Sequence, residues 1–143
     1  MCLSDNKIEI LEVQAFFNLH SLKMLNLISN QIKHVQTETL APLFSLEILV
    51  LDFNVIQRVS KQLFRHILSL KLLSIKENKL SEIEQFDFDF SCAYNIEIYL
   101  QLNHMKAFEL SSLTCGENSF ILVLSLQRNF IQYLNKHSSL LSV

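Results

Sequence analysis

The 143-residue chain contains one glycine, one proline and no tryptophan. So little glycine and proline excludes collagen-like, flexible-linker and proline-rich classes. Cysteine is scarce as well. Cys2, Cys92 and Cys115 form an odd set with no CxxC pair, which fits neither a secreted disulfide framework nor a zinc site. Charge is thin, at 18% of residues with a formal net charge of −2, so the basic footprint of a dedicated nucleic-acid binder is missing. Long apolar runs are missing too. The longest clean stretches, such as Phe120 to Leu124, fall far short of the roughly 20 residues a membrane helix needs. Met1-Cys2-Leu3-Ser4-Asp5-Asn6-Lys7 has no basic, apolar and small-residue succession of a secretory signal. Taken as a complete product, the chain is therefore expected in the cytoplasm. What is present is apolar mass: hydrophobic residues make up 50%, too many for a disordered segment and enough for one domain or one array of small repeats.

Asparagine reveals the array. Asn6, Asn30, Asn54 and Asn78 recur at one constant interval; Asn103 comes one position later than that interval requires, and Asn129 two. Leu22, Leu25, Leu27 and Asn30 are followed by Ile32 and Val35, and Leu46, Leu49, Leu51 and Asn54 by Ile56 and Val59. Leu70, Leu73, Ile75 and Asn78 lead to Leu80 and Ile83, and Ile121, Leu124, Leu126 and Asn129 to Ile131 and Leu134. The fifth copy is weaker, with Ile98, Leu100, Asn103, Met105 and Phe108. This is the leucine-rich-repeat pattern LxxLxLxxNxLxxL, at a period inside its usual range. In such a unit the LxL pair forms a short strand with alternate side chains turned inward. The asparagine carboxamide both donates and accepts, so a stack of them can satisfy backbone groups buried where the chain leaves each strand. An amphipathic helix would give spaced leucines, but no polar residue recurring at this interval.

The other half of each repeat leaves its own trace. Phe16 with Leu19, Leu40 with Leu43, and Phe64 with Ile67 fall at matching offsets after their asparagines. The fourth repeat keeps Phe88 but has Ser91 in the second place, and the stretch from Phe86 to Phe120 reads as looped or decayed. The expectation is an α/β solenoid of about six repeats over residues 1–143. It has one short parallel strand per repeat on a concave face and loops or short helical turns on the convex one. Neither end offers a capping unit or cysteine cluster, and solenoids need caps. The sequence therefore reads as an uncapped slice of a longer array.

Asn95-Ile96-Glu97-Ile98-Tyr99-Leu100, Asn103, Asn118-Ser119-Phe120 and Ser125-Leu126-Gln127-Arg128, together with the repeat class, resemble Toll-like receptor ectodomains. The stretch is similar to the double-stranded-RNA-sensing member and to fish nucleic-acid-sensing members. The resemblance implies an innate-immune pattern-recognition receptor at the cell surface or in the endosomal lumen, with a protein or pathogen-derived ligand as partner and nucleic acid among the candidates. The sequence departs from that family in having no signal peptide, membrane span or signalling domain, and no N-x-[ST] acceptor site.

A recognition surface follows from the strand pattern, because residues flanking each LxL point away from the core. Lys23, Met24, Asn26, Ile28 and Ser29 do so in the second repeat, with Glu47, Ile48, Val50, Asp52 and Phe53 in the third. The fourth gives Lys71, Leu72, Ser74, Lys76 and Glu77; the fifth Ile96, Glu97, Tyr99, Gln101 and Leu102; the sixth Leu122, Val123, Ser125, Gln127 and Arg128. Ile48, Val50, Phe53, Leu72, Tyr99 and Leu102 are expected to form an exposed apolar band, and such patches mark interaction sites. His20, His34, His66, His104 and His137 would raise the charge from −2 to +3 if all were protonated, but they share no repeat position and should form no stripe.

Glu82, Glu84, Asp87 and Asp89 alternate with Ile83, Phe86, Phe88 and Phe90, the pattern of a solvated face with aromatics turned inward. Convergent carboxylates in a pocket, which acid–base catalysis needs, are not indicated, and a calcium loop would need a glycine turn. Cys92 and Cys115 either pair across repeats or are small core residues. No nucleophile–histidine arrangement and no phosphate-binding glycine loop appears. The expectation is a protein with no catalytic residues, metal or cofactor, acting either as a receptor ectodomain segment, as an intracellular scaffold, or as a degenerate gene fragment.

Overall fold

The structure, a computed structural model, describes residues 1–59, 63–64, 66–67, 69–81, 88–90, 96–109, 113–115 and 121–135. For 88–90, 109, 113–115, 121–122 and 134–135 it describes the backbone alone. In chain order the elements are β1 (Met24–Asn26), α1 (Thr37–Leu40), β2 (Ile48–Val50), β3 (Leu72–Ser74), β4 (Phe88–Phe90) and β5 (Ile96–Tyr99). They are followed by β6 (Ala107–Glu109), β7 (Leu113–Cys115), β8 (Ile121–Ser125) and β9 (Tyr133–Asn135).

Each repeat from the second to the sixth contributes one strand to a five-stranded sheet of order β1-β2-β3-β5-β8. All its pairings are parallel. The first repeat joins through a single parallel bridge from Cys2 to Asn26. Strand register places Leu25, Leu49, Leu73, Ile98 and Leu124 in one inward row, and the first four are fully buried. Leu27, Leu51, Ile75 and Leu100 lie beneath them, also buried. One strand per turn of the coil, stacked on its equivalent in the next turn, is why so short a strand suffices. Its stability comes from the apolar interior rather than from its own length, at roughly 1.5–3 kcal/mol per buried aliphatic side chain.

The far side of the coil closes that interior. Phe16, Leu40, Leu43, Phe64 and Ile67 are all at most 2% exposed, with Leu19 packed against them, as their spacing predicted. The short helix α1 carries Leu40 inward. Further along, this side is built differently. The parallel pairs β4–β7 and β6–β9 form two additional two-stranded sheets, where loops or helical turns were expected.

One outward assignment is corrected. Ile96 is 1% exposed and belongs to the core. Strand β5 begins one residue earlier than β1, β2 and β3 and runs Ile96–Tyr99 with an alternating buried and half-buried pattern. Period-two geometry then turns Ile96 to the same side as Ile98. In β1, β2 and β3 the corresponding Lys23, Glu47 and Lys71 precede the strand and reach solvent. The ladder between β5 and β8 shifts register at this point, since Ile96 pairs Ile121 while Glu97 pairs Val123.

Candidate functional site

The six asparagines lie in one column, where the chain turns away from each strand. Asn54 is typical. Its Nδ2 donates to Leu27 O at 2.9 Å, to Leu51 O at 3.1 Å and to Asp52 O at 3.2 Å, while Oδ1 accepts from Ile32 N at 3.0 Å. Asn30 likewise donates to Leu3 O and accepts from Ile8 N, and Asn78 donates to Leu51 O and accepts from Ile56 N. Asn103 serves Ile75 O and Leu80 N, and Asn129 serves Leu100 O and Met105 N. Each carboxamide thus ties its own turn to the preceding repeat. Asn6 donates only within its own turn, to Leu3 O and Ser4 O, and is exposed.

This geometry imposes a backbone feature. The residue before every ladder asparagine has a positive φ: Asp5 56°, Ser29 54°, Phe53 55°, Glu77 50°, Leu102 57° and Arg128 57°. None is glycine, so each turn carries a left-handed residue at a cost of about 1–2 kcal/mol. The conformation is held from both sides. The asparagine that follows anchors to the repeat before. The N–H of the left-handed residue donates to the repeat after: Ser29 N to Asp52 O at 3.1 Å, and Phe53 N to Lys76 O, Glu77 N to Gln101 O and Leu102 N to Gln127 O, each at 3.0 Å.

The open face of the five-stranded sheet is the candidate binding surface. Its register puts Met24, Ile48, Leu72, Glu97 and Val123 in one outward row and Asn26, Val50, Ser74, Tyr99 and Ser125 in the next. The expected band of six is therefore distributed over separate rows rather than continuous. Ile48 and Leu72 are adjacent, Val50 and Tyr99 are separated by Ser74, and Phe53 and Leu102 sit in the left-handed turns. Phe53 is 51% exposed, whereas Ile48, Val50, Leu72, Tyr99 and Leu102 are half-buried. A polar chain lies over Tyr99. Lys76 holds its Nζ 4.9 Å from the centre of the Tyr99 ring and 4.0 Å from Asp52 Oδ2. Met24, 45% exposed, extends the Ile48–Leu72 row beyond the expected set.

Charges on this face are locally matched. Lys23, Glu47 and Lys71 occupy the same position in successive repeats and form a column, with Nζ–Oε distances of 2.9 Å and 2.8 Å to the shared carboxylate. The Lys71 and Lys23 hydrogen bonds hold the Glu47 carboxyl down at about 2. Tyr99 donates its hydroxyl to Glu97 Oε2 at 3.0 Å, which pushes the phenol above its ordinary value. Gln101 Nε2 donates to Ser125 Oγ, which in turn donates to Gln127. Ser74 Oγ and Gln101 Oε1 are buried without a partner among the described residues.

The remaining candidates do not converge. His20 stacks on Phe44 at 5.1 Å and His104 tilts against Phe130 at 6.0 Å; these two, His34 and His66 are exposed at unrelated positions, and His137 lies outside the described residues. So do Glu82, Glu84, Asp87 and Cys92, while Asp89 and Cys115 are described in backbone only. Among the described residues no three His, Cys, Asp or Glu side chains come together as a metal group, and no helix is long and apolar enough to cross a membrane.

Residues 1–56 match the family model described as leucine rich repeat. No curated protein matches the chain. The match and the stacked parallel strands together make the fold an α/β leucine-rich-repeat solenoid, with a sheet that is open rather than closed.

Proposed function

We propose that this protein is a non-catalytic recognition module that takes a protein or pathogen-derived ligand on the open face of its sheet. Repeats of this class serve recognition in general. The observation that carries the reading here is the outward row Met24–Ile48–Leu72, flanked by Val50 and Phe53. Apolar side chains contributed by successive repeats to one solvent-facing surface fit a partner interface. A peptide library displayed on phage and panned against the whole chain tests it, with an Ile48→Asp/Leu72→Asp variant as the counter-screen. Enriched clones are expected to lose binding to the variant. Clones that bind both alike, or no enrichment at all, overturn the reading.

The finer assignment is a segment of a Toll-like receptor ectodomain in innate immunity. Its support is the stretch Asn95–Leu100 with Asn103 and Ser125–Arg128, which resembles that family. Sequencing the transcript on both sides of the reading frame decides it. Continuation into further repeats, a cysteine cap, an apolar span and a signalling domain supports the receptor. Stop codons bracketing Met1 and Val143 overturn it for this product, and the intracellular scaffold takes its place.

A further inference from the structure

The column of left-handed turns combines two costs at one residue. Phe53 is a bulky side chain at φ 55° and is 51% exposed. A bulky residue at positive φ is a conformational outlier; the asparagine ladder holds it here, and the turn leaves the ring facing solvent. Two repeats on, Leu102 repeats the conformation at φ 57° and is half-buried. Between them Glu77 is exposed with no ion pair among the described residues, its sequence neighbour Lys76 being engaged by Asp52 and the Tyr99 ring. Arg128 comes next, exposed and in the same conformation. The sequence of chemistry along the column is aromatic, acidic, aliphatic, basic.

The ladder hydrogen bonds from Phe53, Glu77 and Leu102 to the following repeat hold these residues at the strand spacing of a sheet, about 4.8 Å. An α-helix rises roughly 1.5 Å per residue. Residues i, i+3, i+7 and i+10 therefore fall at about 0, 4.5, 10.5 and 15 Å along one face, against about 0, 4.8, 9.6 and 14.4 Å for the column. An extended strand keeps same-side residues about 6.7 Å apart and loses step after one repeat. We infer that the turn column Phe53–Glu77–Leu102–Arg128 is a docking track for an amphipathic helix of a protein partner. That helix presents apolar, basic, apolar and acidic side chains at i, i+3, i+7 and i+10. The inference rests on the recognition reading above and specifies its partner.

Helix-constrained synthetic peptides of about four turns test it by fluorescence anisotropy with the whole chain. The parent carries Leu, Lys, Leu and Glu at the four positions; a second peptide exchanges Lys and Glu. The parent is expected to bind at least tenfold more tightly, and a Glu77→Lys/Arg128→Glu variant is expected to invert that preference. Both substitutions are at exposed sites, and the circular dichroism spectrum of the variant should match that of the parent chain. Equal affinities, an unchanged preference in the variant, or no binding of either peptide overturns the track. An Ile48→Asp variant separates the two readings. Peptide binding lost there but indifferent to the charge exchange refutes the track and leaves open-face recognition standing. Peptide binding at the track alongside a failed library screen would instead refute the Ile48–Leu72 surface.

Discussion

The chain before Asn78 and the chain after it solve the same problem with different amounts of sequence per repeat. From Asn30 to Asn78 the asparagine interval is constant, strands β1 to β3 are equally short, and a helix or turns form the far side. From Asn78 onward the interval grows by one position and then by two, β5 and β8 are longer than the strands before them, and extra parallel pairs appear on the far side. The asparagine bonds do not change. Asn54 and Asn103 each reach the strand-end carbonyl of the preceding repeat and accept from the N–H two positions after its asparagine. The added residues are therefore absorbed elsewhere. One falls between Leu80 and Ile96, because Leu73 already pairs Ile98. Another enters β8 as the register shift beside Ile96 and Glu97. The turn column is the invariant of the coil; the length is adjusted on the way to each later strand and at the start of β8.

If the early repeats depend on their far-side anchors, removing one should cost most. Phe64, 1% exposed, fills the interior opposite the sheet, and Phe64→Ala is expected to destabilise by about 4 kcal/mol, read as a drop in the urea midpoint. A loss below about 1 kcal/mol would mean that the third repeat's far side is not part of the cooperative unit.

The turn column should break unequally. Asn54→Ala leaves the Ile32 N–H without its acceptor in the buried interior and takes one of two donors from each of Leu27 O, Leu51 O and Asp52 O, which keep Asn30, Asn78 and Ser29 N respectively; about 2 kcal/mol is expected. Asn129 is only half-buried, so water can replace part of what it supplies and about 1 kcal/mol is expected. Equal losses at the two positions would contradict a ladder whose worth depends on burial.

How far these features could be read from the sequence depends on whether a side chain carries them. The repeat frame, the inward leucines and the anchors Phe16, Leu40 and Phe64 were legible because an identity recurs at a fixed interval. The left-handed column was not. Asp5, Ser29, Phe53, Glu77, Leu102 and Arg128 have no chemistry in common, and their conformation is imposed by the asparagine that follows and by the ladder. The pairs β4–β7 and β6–β9 were equally hidden, since such short strands, held by partners a whole repeat away, leave no local periodicity. The rows of the apolar face depend on register, which the sequence does not mark: Ile48 with Leu72 and Val50 with Tyr99 fall in different rows of the sheet, and Phe53 and Leu102 in the turns beyond. Ile96 failed for the same reason, being one residue on the strand side of a boundary that the sequence does not mark.

That boundary can be tested by exchange. Ile96→Lys gives the fifth repeat the residue the fourth carries at Lys71, but forces a charge toward the core, and about 2 kcal/mol of destabilisation is expected after the side chain snorkels outward. Lys71→Ile places an apolar residue where the chain is solvated, and within about 0.5 kcal/mol of no change is expected. A reversal of that order would place the start of β5 where β1, β2 and β3 start.

The smallest effect belongs to the Lys23–Glu47–Lys71 column, and here the sign matters more than the size. The Glu47 carboxyl is lowered from 4.5 to about 2 by the two lysines. The folded state therefore binds this proton less readily than the unfolded chain does. Its contribution is complete above about pH 4.5, fades as the pH falls toward 2, and is absent below that. Because the two lysine side chains are 63% and 64% exposed, solvent and salt screen the interaction and its weight in the total stability is minor. Glu47→Gln is expected to flatten the midpoint-against-pH curve between pH 4.5 and 2, with little change at neutral pH. Raising the salt should erase the difference between the two proteins in that window. A Glu47→Gln curve that still falls in parallel with the parent would assign the acid sensitivity to other carboxylates, and the column would then organise the rim of the sheet without stabilising it.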